Sequence, residues 1–86
     1  MEKPRMLSKL GNVDAYTKLP LVELAGSGRV LIENHTGVLS YSQEEIAVRV
    51  CYGWLQVTGQ NMKLAEMRRE QMVITGQIDS VIVHRR

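Results

Sequence analysis

From Pro20 onward the chain alternates apolar and polar residues with a period of two, broken at short intervals by glycine or by Asn-His. Glu45-Ile46-Ala47-Val48-Arg49-Val50 is the cleanest case, placing Ile46, Val48 and Val50 on one face. A period of two lines one face of a strand, whereas a helix needs 3.6. The pattern predicts strands over 22–24, 29–33, 36–41, 45–50, 54–58, 72–75 and 78–83. Turns are predicted at Gly26-Ser27-Gly28, Asn34-His35, Tyr52-Gly53, Gly59-Gln60 and Gly76-Gln77. Gly53, Gly59 and Gly76 are read as structural glycines. Residues 63–67 are ambiguous, because Lys-Leu-Ala-Glu-Met has helical propensity while the flanking segments favour strand. The predicted fold is all-β: one small antiparallel meander, roll or sandwich of about seven or eight short strands.

Before Pro20 the pattern is absent, so residues 1–19 read as a mobile basic leader and 20–86 as a single β domain. The 86 residues allow one small core, and 44% hydrophobic content is enough to form it. No run approaches the length of a membrane-spanning helix, and no apolar signal-peptide core opens the chain. A single cysteine, Cys51, excludes an internal disulfide and points to a reducing, cytoplasmic setting. The net charge of +2 sits on the first twenty residues, where Lys3, Arg5, Lys9 and Lys18 outweigh Glu2 and Asp14. The β region balances to zero, and aromatics are 5%, so nucleic-acid binding is disfavoured.

Two further patterns bear on assembly. Val57-Thr58-Gly59-Gln60 is echoed by Ile74-Thr75-Gly76-Gln77, which suits stacked β-arches or two similar hairpins. Val81, Ile82 and Val83 make the last strand apolar on both faces, which suits cover by the leader or a subunit contact. These three residues are candidates for self-association.

No catalytic or metal constellation emerges. Gly26-Ser27-Gly28-Arg29 lacks the spacing and the helix of a phosphate loop. His35 and His84 have no third ligand at metal spacing. Cys51 has no base and orienting acid placed with it. Glu44 and Glu45 point to opposite faces of a strand. Arg68-Arg69, Arg85-Arg86 and the basic leader read as solvated charge, or as contacts to anionic lipid or RNA. Catalytic residues, cofactor and metal are all read as none.

The ordered set Ile32-Glu33-Asn34-His35-Thr36-Gly37-Val38 with Tyr41, then Gly53-Trp54-Leu55-Gln56-Val57-Thr58-Gly59, then Glu70-Gln71-Met72-Val73-Ile74-Thr75-Gly76-Gln77-Ile78 resembles the signature of the YabP/YqfC sporulation proteins. The YqfC branch fits better, because of the Ile-Glu-Asn-His run and the basic leader ending near Leu-Pro. The resemblance implies a mother-cell protein of endospore-forming Firmicutes without enzymatic activity. It implies a cytoplasmic location peripheral to the forespore membrane, and a YqfD-type membrane protein as partner. Glu33, Asn34, His35, Gly37 and Tyr41 carry the family motif. The turn within it is either structural, with Asn34 at positive φ and His35 capping carbonyls, or a recognition surface anchored by Tyr41 and Trp54. The leading functional expectation is a scaffold or adaptor that binds a membrane protein or itself, with weak leader contact to the membrane surface. The alternative is a small ligand- or polysaccharide-binding module of the spore envelope.

Overall fold

A computed structural model describes residues 19–86; of the expected leader, only Leu19 lies among them. The strands are β1 (Leu21–Ala25), β2 (Arg29–Glu33), β3 (Gly37–Tyr41), β4 (Glu45–Val50), β5 (Gly53–Met67) and β6 (Gln71–Arg85). They form one six-stranded sheet in the order β1-β2-β6-β5-β4-β3. Every neighbouring pair is antiparallel. The all-β antiparallel class stands, with six strands in place of seven or eight.

The count falls because β5 and β6 each run for 15 residues. Gly59-Gln60 and Gly76-Gln77 are not chain reversals; they are bends inside these strands. Gln60 and Gln77 are partners in register, so the sequence echo marks the two sides of one bent hairpin. Glycine is required at both sides because the backbones nearly touch. A Cβ on Gly59 would lie 2.0 Å from the Gln77 carbonyl oxygen, and one on Gly76, whose φ is 137°, would lie 2.7 Å from the Asn61 carbonyl oxygen. Register shifts at Thr58/Gly59 and Gln60/Lys63 accompany the bend, as bulges do where a sheet turns a corner. Residues 63–67 are strand: Lys63 opposes Thr75 and Met67 opposes Met72. Pairing across the hairpin overrides the local helical propensity.

The bend divides the sheet into two halves. One contains β1, β2, residues 63–67 of β5 and 71–75 of β6. The other contains β3, β4, residues 53–58 of β5 and 80–85 of β6. Both contribute to one core. Val30, Ile32, Met72 and Ile74 come from the first half, Ile46, Val48, Val50, Leu55 and Val57 from the second, and Met62 and Ile78 from the bends. Leu31, Trp54 and Val73 alternate with these inward residues; Val73 is buried as well, while Leu31 and Trp54 are half-buried.

Asn34-His35 is not a hairpin turn either. β2 lies in the first half and β3 at the far edge of the second, so the three residues between them are a crossover from one half to the other. Period-two patterning reports where a strand ends but not which strand it pairs with. The turn expected at Tyr52-Gly53 falls one residue earlier, on Cys51 and Tyr52, and Gly53 opens β5. Cys51 is exposed in that turn.

Candidate functional site

The crossover is built from the family-motif residues. Asn34 adopts φ 66°, a conformation asparagine tolerates better than most residues. Its backbone N–H donates to the Glu70 carbonyl at 2.6 Å, and its side-chain Nδ2 donates to the Leu19 carbonyl at 2.9 Å. His35 is the buried polar residue of the domain, 5% exposed. Its Nδ1 accepts the Gly37 N–H at 3.1 Å, and its Nε2 lies 3.3 Å from the Arg68 carbonyl oxygen. Both contacts are satisfied together by the tautomer that carries its proton on Nε2. Thr36 N–H donates to the Arg49 carbonyl at 2.9 Å. The crossover thus holds the β5–β6 turn, strand β4 and the entry of the chain. Both ring nitrogens of His35 are engaged inside the fold.

The proposed anchors are not gathered at this turn. Gly37 begins β3 opposite Arg49, whereas Tyr41 ends β3 opposite Ile46 and is exposed. Glu33 is half-buried at the end of β2, between Leu21 and Gln71. Trp54 stacks on His84, with ring centroids 3.9 Å apart and planes at 9°. His84 Nε2–H donates to Gln56 Oε1 at 2.8 Å, and Gln56 Nε2 donates to Glu45 Oε2 at 3.2 Å. A polar chain therefore crosses β6, β5 and β4 on the outer face. Gly53 lies hard against β6: a Cβ there would be 2.1 Å from the His84 carbonyl oxygen. Among the described residues no three His, Cys, Asp or Glu side chains converge to hold a metal ion.

The crossover end also collects charge. His35 and Thr36 place Arg68 beside Arg49 through their backbone contacts. Arg69 follows Arg68, and Arg85 and Arg86 lie opposite Gly53 and Tyr52 at the same end of the sheet. Arg85 sits over the Tyr52 ring, 4.7 Å from its centroid. Two shallow clefts open there, one of about 360 Å³ bordered by Glu33, Asn34, Arg68, Arg69, Glu70 and Gln71, the other of about 190 Å³ bordered by Leu39, Arg49, Gly53, Trp54 and Arg86. Five arginines and two glutamates share this end, and the chain from the basic leader enters beside it, at Leu19. Charge counted along the sequence hides this segregation; the two Arg-Arg doublets were its visible part.

A second surface is a strand edge. Beyond Ile78, whose N–H donates to the Ser27 carbonyl, β6 has a strand neighbour on the β5 side alone among the described residues. The Arg86 N–H donates to the Tyr52 carbonyl, so residues 82, 84 and 86 turn their backbone groups to β5. The alternation then leaves those of Val81, Val83 and Arg85 directed outward. Ile82 is 43% and Val83 48% exposed, and Val81 is half-buried against the core.

The model of the YabP family matches residues 18–86. Over 68 residues the chain is 29% identical to YqfC of Bacillus subtilis (strain 168), itself described as uncharacterised; the match covers 79% of this chain and 73% of that protein. The match spans the crossover motif, the bent hairpin and the open edge together, and the chain belongs to the YabP family of sporulation-associated proteins.

Proposed function

We propose that this chain is a non-enzymatic scaffold or adaptor of spore morphogenesis that works by adding a protein strand to its open β6 edge. The observation that carries this is the run of outward backbone groups at Val81, Val83 and Arg85, flanked by exposed Ile82 and Val83. Soluble domains normally protect such an edge with charge, bulges or cover. An edge left regular and apolar suits β-augmentation, in which backbone bonds supply affinity and alternating side chains supply choice. The polysaccharide-binding alternative has weaker support, because one face of Trp54 is already taken by His84.

The variant Val83→Pro tests this reading. It removes one outward N–H while leaving the β5 ladder intact, since proline is tolerated on the open side of an edge strand. In a spore-forming host lacking its own family member, the wild-type chain is expected to restore spore yield and Val83→Pro to fail. Circular dichroism should show both chains folded. Full restoration by Val83→Pro overturns the proposal.

The arginine-rich end favours a companion role. It would hold the chain against an anionic membrane surface, beside the YqfD-type protein that the resemblance implies as partner. This supports a cytoplasmic, membrane-peripheral location in the mother cell. Each basic residue near such a surface contributes on the order of 1 kcal/mol. Replacing Arg68 and Arg69 with Gln should weaken cosedimentation with anionic vesicles at low salt and leave binding to neutral vesicles unchanged.

A further inference from the structure

We propose that the occupant of the open β6 edge is a second copy of this chain, paired antiparallel about a two-fold axis through Ile82. The inference rests on the strand-addition reading above and adds partner and register. A two-fold pairing through residue 82 sets residue 81 against 83 and 80 against 84. Val81 then meets the other copy's Val83, and Ile82 meets Ile82. The residues of each pair lie on the same face, because both positions have the same parity within the unshifted stretch 80–85. Shifting the axis by one residue in either direction breaks this. Centred on Val81, Ser80 faces Ile82; centred on Val83, His84 faces Ile82 and Arg85 faces Val81. Of these registers, only the one through Ile82 sets Val81, Ile82 and Val83 all against apolar residues.

The backbone agrees with that register. Val81 and Val83 present their N–H and C=O groups to the edge, so Val81 and the other copy's Val83 form a hydrogen-bonded pair, which exchanges both bonds. Ile82 is then a non-hydrogen-bonded pair on the axis, with Cα atoms about 4.5 Å apart and side chains in contact. No register shift interrupts residues 80–85, so the edge is straight enough to pair over its whole length. Val83 belongs to the core-facing set, opposite the fully buried Leu55, yet is 48% exposed. Its partner Val81 would extend the core of one copy into the other. Antiparallel pairing points the two arginine-rich ends in opposite directions, so a flat bilayer meets one of them at a time.

Cysteine cross-linking in a Cys51→Ser background tests the register. A disulfide spans Cα separations of 4.4–6.8 Å, so Ile82→Cys should link to its own copy. Ser80→Cys and Val83→Cys face different residues and should link at least tenfold more slowly, on the order expected from the added separation. Fastest linking at Val83→Cys, or equal rates at all three positions, overturns the register. Light scattering tests the occupant. The wild-type chain should be a dimer that Val83→Pro converts to a monomer. Ile82→Lys should weaken dimerisation about tenfold or more, because it sets two cations against each other on the axis. A wild-type monomer at high micromolar concentration overturns self-pairing. If Val83→Pro still abolishes spore formation in that case, strand addition by another protein survives. If it does not, both readings fail.

Discussion

Among the described residues the long hairpin has two free edges that share a bend, and they are built in opposite ways. Residues 63–67 of β5 have no strand neighbour beyond β6 among the described residues. That stretch carries Lys63 and Glu66, both exposed, and its register slips between Leu64 and Glu66. Charge and irregularity are the usual protections of an edge. Residues 80–85 of β6 keep unbroken register and expose Ile82 and Val83 instead. The same chain therefore protects one edge of its hairpin and leaves the other ready to pair. That difference is hard to account for by stability alone, since burying Ile82 and Val83 would favour the fold.

The most damaging test of this arrangement is Gly59→Ala. The added methyl would meet the Gln77 carbonyl at 2.0 Å, and both edges depend on that crossing. A loss of about 3 kcal/mol or more is expected. For a domain of this size it would appear as a fall in melting temperature of over about 10 °C. An unchanged melt would mean that the bend relaxes without cost.

His35→Ala should cost less. It leaves the Gly37 N–H and the Arg68 carbonyl without their partner, at about 2–3 kcal/mol for buried groups. Chemical denaturation measures this, and a change under about 0.5 kcal/mol would remove His35 from the structural account.

Val83→Lys gives the open edge the protection that the other already has. Stability should move by no more than about 0.5 kcal/mol, while the concentration dependence of the mass in light scattering should disappear. The reverse exchange, Lys63→Val with Glu66→Val, should have the smallest effect on stability and introduce weak association at high concentration. If both exchanges leave the mass unchanged, the contrast between the edges has no consequence for assembly.

The strands and their inward residues were legible locally. Ile46, Val48 and Val50, or Val30 and Ile32, declare a buried face through period-two spacing, and both sets are in the core. Pairing was not legible. Gly59-Gln60 and Gly76-Gln77 look like reversals because glycine before a polar residue is ordinary turn chemistry. They became bends because each glycine faces the opposite backbone across the hairpin, a contact between residues far apart in sequence. Asn34-His35 likewise reads as a turn, and its positive φ is a local property. Its partners, Glu70 and Arg68, are more than thirty residues away. The apolar stretch Val81 to Val83 was visible as unusual, but its edge position depended on where β2 stops pairing with β6.

By itself the sequence determined the strand class, the buried alternation, the family motif and the two-sided apolar final strand. These follow from side-chain chemistry at fixed local spacing. Only the tertiary structure decided that the repeated Thr-Gly-Gln marks one bend, that the Asn-His segment crosses between half-sheets, and that five arginines meet at one end. It also decided which stretches of the hairpin stand at an edge. The physical reason is that a strand satisfies its backbone hydrogen bonds through a neighbour, and the choice of neighbour lies outside the strand's own residues.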